Sequence, residues 1–177
     1  TPTRSALMTG RMPIRSGTFR VPLPGEPGDY GLAPWEYTAA ELFSDAGYAT
    51  ACFGKWHLGG NHPYRPIDRG FDEWWGTPAG AGSYFNPRPL MHNHRFIEPE
   101  GDPFYYTDAI SDHARRCIAD AVSNTPDRPF FSYVTYTAPH WPLHALPGDI
   151  ARYRGRYMDG WSALRAKPAC ATQPSST

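Results

Sequence analysis

The order of elements along the sequence predicts an α/β fold with a partial doubly wound sheet. Two apolar stretches rich in aromatic residues and threonine, "YATACF" at 48–53 and "PFFSYVTYTAP" at 129–139, are typical of buried strands. A predicted helix precedes each of them, and parallel strands in one sheet need such crossover helices. Helix, strand, long helix, strand is therefore the pattern from which the fold class is inferred.

Three stretches predict these helices. Residues 3–9 lie between Pro2 and Gly10, the expected asymmetry of proline at the first turn and glycine after the last. In "TAAELFSDA" at 38–46, Thr38 and Glu41 form a capping box, and Gly47 ends the helix. Residues 105–124 place apolar side chains at helical spacing, which predicts the longest helix of the chain.

Composition bounds the remaining organisation. The 177 residues favour one domain, predicted over 1–166, with a disordered tail at 167–177. The Pro- and Gly-rich residues 12–36 predict an irregular loop, and the similar passage between the first strand and the long helix has no predicted element. With 17 basic and 17 acidic residues the net charge is zero, so nothing indicates a nucleic-acid or membrane partner.

Candidate catalytic groups follow the two predicted strands. The first strand runs into "GKWHLGG" with Lys55 and His57, and the second into "APHWPLH" with His140. Ligands of open α/β sheets bind beyond the carboxyl ends of the strands, so these three side chains are expected to converge. In extended backbone, Lys55 and His57 would project to the same side and suit an anionic substrate whose turnover needs a proton transfer. The alternative is a solvated lysine with incidental histidines.

The first predicted helix offers a second group for an anion. Its free N–H groups and positive dipole end form an anion site, and Arg4 adds a permanently charged donor fork. Metal signals are weak, because His92 and His94 have no carboxylate partner at suggestive spacing. Cys52, Cys117 and Cys170 lack any C-x-x-C spacing, which argues against a structural zinc site or a disulfide framework.

Two signatures together resemble the formylglycine-dependent sulfatases of the alkaline-phosphatase superfamily. Their motif C/S-x-P-S/T-R-x-x-x-x-T-G-R is matched, apart from its first residue, by Thr1, Pro2, Thr3, Arg4, Thr9, Gly10 and Arg11. The second signature, Gly-Tyr-x-Thr leading to Gly-Lys-x-His, is matched by "GYATACFGKWHLG". Similarity to arylsulfatase-like members extends through "RGFDEWWG", "YYTDAISDHA", "RPFFSYVTYTAPHWPL" and "YRGRYMDGWSALR" to about residue 166. The two signatures in the right order make the resemblance specific.

The resemblance implies a sheet of the alkaline-phosphatase type and hydrolysis of a sulfate ester, either an aryl sulfate or a sulfated carbohydrate. Arg4 would hold the formylglycine hydrate and its sulfate adduct, and Lys55 would neutralise their oxygens. His57 would be the base that helps to expel sulfate, and His140 would assist protonation of the leaving-group oxygen. A gem-diol oxygen would attack sulfur, the alcohol would leave, and inorganic sulfate would then be eliminated.

Several implied features are expected outside these 177 residues. The formylglycine would immediately precede Thr1, and the ligands of a calcium ion would also lie elsewhere, so the isolated chain is expected to be inactive. Family members are commonly periplasmic, lysosomal or secreted, which implies an extracytoplasmic location. Two alternatives stay open: a phosphonate monoester hydrolase or phosphodiesterase of the same superfamily, and a non-catalytic remnant that binds anions or a partner.

Overall fold

A computed structural model describes residues 1–21 and 31–166, which fall into two units, Thr1–His144 and the part of the chain from Ala145 onward. The first unit holds helices α1 (Pro2–Thr9), α2 (Ala39–Asp45) and α3 (Tyr106–Asn124), and a 3-10 helix at Pro66–Arg69. Its strands are β1 (Ala49–Lys55), β2 (Glu73–Thr77), β3 (Leu90–His92), β4 (Arg95–Ile97) and β5 (Phe130–Thr135). The second unit holds α4 (Pro147–Tyr153) and α5 (Gly160–Ala166).

The five strands form one open sheet in the order β4-β3-β2-β1-β5. Strand β1 is central to the parallel part, because it pairs in parallel with both β2 and β5. The β3–β4 hairpin adds antiparallel strands beyond β2. The predicted α/β class with a partial doubly wound sheet is confirmed, and the sheet is mixed at one edge.

All three predicted helices and both predicted strands are present. The capping box of α2 is formed, since the Thr38 hydroxyl accepts from the Glu41 amide at 3.1 Å and the Glu41 carboxylate accepts from the Thr38 amide at 2.6 Å. The passage between β1 and α3, for which no element is predicted, contains β2, β3, β4 and the 3-10 helix.

The irregular loop predicted at 12–36 is confirmed for residues 12–21 and 31–36, which contain neither helix nor strand. Residues 22–30 lie outside the described ranges, as does the tail predicted to be disordered at 167–177. The predicted domain limits, 1–166 and 167–177, stay a prediction.

Each face of the sheet carries its own apolar core, because neighbouring strand residues point in opposite directions. On one face the side chains of Cys52 and Trp74 pack with Met8 of α1 and Ala40 of α2. On the other face Phe53 and Trp75 pack with residues of α3, which lies against β1, β2 and β5. Helices on both faces leave the carboxyl ends of β1, β2 and β5 at one edge of the sheet, where ligands bind in such folds.

Candidate functional site

Lys55 is the last residue of β1, and backbone contacts fix its position. The neighbouring Gly54 has a φ of 103°, and a Cβ there would come within 3.0 Å of the Thr135 carbonyl group. This close approach brings the Thr135 hydroxyl to the Lys55 carbonyl oxygen, to which it donates at 2.7 Å. Lys55 is 7% exposed. Its pKa is lowered, chiefly by burial and further by the charge of Arg4.

Arg4 lies on α1, which begins at Pro2 with Thr1 as its N-cap. Its guanidinium Nη1 donates to the Lys55 carbonyl oxygen at 2.6 Å. One carbonyl at the end of β1 thus accepts from both Arg4 and Thr135. The helix N-terminus, a partial positive charge, is thereby held over the carboxyl end of the sheet.

His57 lies two residues beyond β1, where the backbone turns. Its φ of 62° is left-handed, so the expectation of an extended backbone from Lys55 to His57 is wrong. The His57 amide donates to the Pro78 carbonyl at 3.1 Å, and the Thr1 hydroxyl donates to the His57 carbonyl at 3.3 Å. These bonds hold His57 between the start of α1 and the chain that follows β2.

Burial and nearby positive charge lower the pKa of His57 from its usual 6.5 to about 4. Burial is the largest cause, followed by the Thr1 amino group, Lys55, Arg4 and His140. The imidazole is therefore neutral at pH 7 and has a lone pair that can take a proton. A cavity of about 150 Å³ opens beside this ring and is lined by Gly31, His57, Gly59, Gly60, Pro78, Ala79 and Gly80.

His140 lies in the segment that follows β5 and is exposed. Its Nδ1 is 2.7 Å from the Trp141 carbonyl oxygen, which can only accept, so the proton is on Nδ1 and Nε2 is left for another partner. The Tyr84 hydroxyl donates to the His140 carbonyl oxygen at 2.6 Å. The segment that carries His140 follows β5, which pairs in parallel with β1, so it starts at the same edge of the sheet as the segment that carries His57.

Arg4, Lys55, His57 and His140 are thus brought to one edge of the sheet, while other histidines lie elsewhere. His92 is on β3, and His113 stacks on Trp75 from α3 with ring centroids 4.0 Å apart. Gly80, Tyr84 and Thr135 touch the candidate residues and were missed by the sequence reasoning. A usable signal for two of them was the small-residue run "GAGSY" at 80–84, which begins three residues after the end of β2.

The residues that converge here do not fit a calcium ion. Calcium takes carboxylate and carbonyl oxygens, whereas the side chains at this edge are cationic or imidazole. Over residues 1–21 and 31–166, no group of three or more His, Cys, Asp or Glu side chains is placed to hold a metal ion. Cys52 and Cys117 are free thiols, and Cys170 lies outside the described residues. What the arrangement can do is bind a tetrahedral anion beside a neutral imidazole.

Comparison with known proteins agrees with this chemistry. A family model described as Sulfatase matches residues 1–175. The chain belongs to the sulfatase family. The family predicted from the two sequence signatures is confirmed, within the alkaline-phosphatase-like superfamily.

Similarity to named relatives covers most of this sulfatase chain. It is 33% identical over 177 residues to the N-acetylgalactosamine-6-sulfatase of Canis lupus familiaris, covering 89% of this chain and 34% of that protein. It is 31% identical over 178 residues to the arylsulfatase of Klebsiella aerogenes, covering 92% of this chain and 38% of that protein. The chain thus spans about a third of the length of the curated relatives it matches.

Solved structures share the fold. The crystal structure of Ps i-CgsB in complex with k-i-k-neocarrahexaose superposes with a TM-score of 0.76 at 32% identity, covering 86% of this chain and 37% of that chain. PsFucS1 sulfatase from Pseudoalteromonas sp. superposes with a TM-score of 0.65 at 25% identity, covering 84% of this chain and 36% of that chain. No helix in the described ranges has the length and apolar character needed to cross a membrane.

Proposed function

We propose that the protein containing this chain hydrolyses sulfate esters, with Arg4, Lys55 and His57 acting on the sulfate group and His140 on the leaving-group oxygen. The observation that carries the proposal is the convergence of these groups beneath the N-terminus of α1 in a chain of the sulfatase family. The strand ends and the helix end meet there because Arg4 and Thr135 share the Lys55 carbonyl.

Charge supports binding of the sulfate group. The sulfate ester and its transition state are anionic, and fixed cations aimed at developing charge are a major source of rate enhancement. Arg4 is oriented by its hydrogen bond to the Lys55 carbonyl, and the Lys55 side chain is buried. Burial lowers the pKa of Lys55 most, and Arg4 lowers it further through a repulsion that a bound anion would offset. The pair therefore gains from binding an anion between them.

The two histidines suit opposite proton transfers. Burial, together with the charges of Lys55 and Arg4, lowers the pKa of His57, so its imidazole is unprotonated at neutral pH and can accept a proton as a base. His140 has its Nδ1 hydrogen committed to the Trp141 carbonyl, so its Nε2 is the atom that would contact the leaving-group oxygen. An imidazolium formed by His140 would hand a proton to that oxygen as the ester bond breaks.

Formylglycine is proposed at the position immediately before Thr1, where the family motif has its modified residue. Its hydrate would supply the covalent nucleophile. The Thr1 nitrogen, to which it would be joined, lies at the start of α1, whose Arg4 donates to the Lys55 carbonyl at 2.6 Å. A residue attached there would therefore lie within reach of both cations. Calcium, which the family generally implies, would take its ligands from outside this chain.

A sulfated carbohydrate is the proposed substrate class, with aryl sulfates as convenient probes. Support comes from the relatives, since one is named an N-acetylgalactosamine-6-sulfatase and one solved structure holds k-i-k-neocarrahexaose. We also propose an extracytoplasmic location, as in the family's periplasmic, lysosomal and secreted members.

Replacement of the cations tests the proposal in the full-length protein. We expect Arg4→Ala and Lys55→Ala each to lower kcat for 4-nitrophenyl sulfate by about 10²–10³, the usual loss when one stabilising donor is removed. Arg115→Ala is the matched control, because Arg115 is exposed on α3 and pairs with Asp112 at 3.7 Å. It should retain wild-type turnover.

The same assay separates the alternatives. Faster turnover of 4-nitrophenyl phosphate or a phosphonate monoester than of the sulfate would favour the phosphoryl-transfer enzyme. No turnover of any ester by the formylglycine-bearing protein would favour a non-catalytic anion-binding role. Wild-type kcat in the Arg4→Ala variant would contradict the assignment of that residue.

A further inference from the structure

The β2–β3 loop, residues 78–89, touches both histidines of the candidate site, although none of its residues was predicted to take part. We propose that Gly80 and Tyr84 of this loop are positioning residues: Gly80 provides the seat for the His57 imidazole, and Tyr84 holds the backbone of His140. The roles of His57 as a base and His140 as an acid in this inference rest on the proposed function. The loop would then fix the base and the acid relative to each other from a single element.

Position 80 requires glycine because the His57 ring leaves no space there for a side chain. A Cβ at Gly80 would lie closer than 3.0 Å to three atoms of the imidazole, Cε1, Nε2 and Cδ2. The obstacle is the ring itself, since no backbone atom is among these near contacts and the backbone of Gly80 is not left-handed. The imidazole lies over the glycine Cα, while the His57 amide donates to the Pro78 carbonyl two residues earlier. Ring and backbone of His57 are thus both held by the start of the loop.

Tyr84 holds the His140 segment from the other end of the loop. Its ring is 2% exposed and packs in the core on the α3 face of the sheet. Its carbonyl accepts from the Tyr106 amide at 2.7 Å, which anchors it to the start of α3. From this fixed base the hydroxyl donates to the His140 carbonyl at 2.6 Å and the Tyr84 amide donates to Nδ1 of His144 at 3.2 Å. Two points of the post-β5 segment are therefore tied to one buried residue.

The Gly80 seat can be tested on this chain without any enzymatic assay. Gly80→Ala is compared with Gly82→Ala, the matched control in the same loop, where an added Cβ meets nothing within 4 Å. NMR titration of the His57 ring should give a pKa near 4 in the wild-type chain and in Gly82→Ala. In Gly80→Ala the displaced ring is more solvated, so its pKa should rise by about one unit or more towards the ordinary value.

A double variant covers the case in which Gly80→Ala does not fold. If the ring is what the new methyl group meets, His57→Ala should make room for it, so Gly80→Ala should destabilise the wild-type chain and not the His57→Ala chain. Equal destabilisation in both backgrounds, or an unchanged His57 titration in a folded Gly80→Ala chain, would overturn the seat. Both outcomes are independent of whether the protein is a sulfatase.

The role of Tyr84 is tested in the full-length protein with two esters. Nitrophenolate leaves readily without protonation, whereas the alkoxide of a carbohydrate sulfate needs an acid such as His140. Tyr84→Phe should therefore lower kcat for a carbohydrate sulfate by about tenfold or more, within the range of general acid catalysis, and change kcat for 4-nitrophenyl sulfate much less. Tyr37→Phe, which removes an exposed hydroxyl bonded to Asp45, is the control.

The outcomes distinguish this inference from the proposed function. Equal losses for both esters in Tyr84→Phe, or none for either, would overturn the positioning role of Tyr84 while leaving sulfatase activity established. An inactive wild-type protein would refute the proposed function and the catalytic role of Tyr84. The role of Gly80 would still be decided by the titration of His57.

Discussion

At His57 the backbone adopts a φ of 62°, a conformation that costs a residue with a side chain about 1–2 kcal/mol relative to a right-handed one. Hydrogen bonds from Thr1 and to Pro78 impose it, and both partners are distant in sequence. The position of Lys55 and His57 at the end of a strand could be predicted from the sequence, because both residues follow an apolar run. The turn between them could not, since no local signal encodes a contact with the start of the chain.

Arg69 shows the opposite case, a charged residue that serves the fold. Its side chain is almost fully buried at 1% exposure. The guanidinium donates to the Leu32 carbonyl at 2.9 Å, to the Glu36 carbonyl, and to the Glu41 carboxylate at 3.4 Å. One side chain thus connects the segment before α2 with α2 itself. A buried arginine of this kind is expected where planar, directed donors are needed.

Replacing Arg69 by methionine should therefore be costly. The substitution keeps much of the apolar volume but leaves buried carbonyl groups without donors, and we expect a loss of about 3–5 kcal/mol in the free energy of unfolding. Chemical denaturation of the purified chain measures it. Arg88→Met is the control, because the Arg88–Glu98 pair is exposed and worth about 1 kcal/mol or less. Similar losses in the two variants would contradict the structural role given to Arg69.

Among the elements, those with strong local signals were the ones that could be predicted. Helix α2 has a capping box, and α3 has nineteen residues of helical periodicity, so both were found within one residue of their observed ends. Strands β3 and β4 have three residues each and lie between prolines and glycines. Strand β3 forms because it pairs with Trp75 and Gly76 of β2, and β4 forms because it pairs with β3. The pairing of β3 with β2 is a tertiary cause without a local pattern.

The capping box of α2 carries a prediction at this scale. The Thr38 hydroxyl accepts from the Glu41 amide at 3.1 Å and donates to the Arg69 carbonyl at 3.0 Å, at a site that is 1% exposed. Thr38→Ala should lower the free energy of unfolding by about 1–2 kcal/mol, the upper range for a lost N-cap. Thr38→Ser keeps the hydroxyl and should recover most of that loss. A serine variant as unstable as the alanine variant would show that the methyl group, and not the cap, matters.

In the unit Thr1–His144 as a whole, the strand order of the sheet brings together residues that are far apart in the sequence. Because β1 pairs with both β2 and β5, the segments after all three strands meet at one edge, and Gly80, Lys55 and His140 come from three distant parts of the chain. Convergence of Lys55, His57 and His140 could be anticipated from strands taken to be parallel. The contribution of the β2–β3 loop could not, because β2 itself was missed.

The same unit holds two histidines with pKa values lowered to about 4, and they set its response to acid. For His57 and His113 burial is the largest cause; at His113 the charges of Arg116 and His92 add to it and Asp112 opposes it.

A group whose pKa is lower when folded binds protons more tightly in the unfolded chain. Each histidine therefore leaves stability unchanged well above pH 6.5 and reduces it as the pH falls from about 6.5 to about 4.

Replacing His113 by glutamine removes one such proton site, so the free energy of unfolding of His113→Gln should fall less steeply over this window than that of the wild-type chain. His57→Gln should behave likewise, and the double variant should show both reductions, because the two rings lie at different places on the sheet. Urea unfolding at pH 7.5, 6, 5 and 4.5 measures the slopes, and the values at pH 7.5 correct for any pH-independent effect of the substitutions. Parallel curves for all four chains would mean that the histidines are protonated equally in the folded and unfolded states.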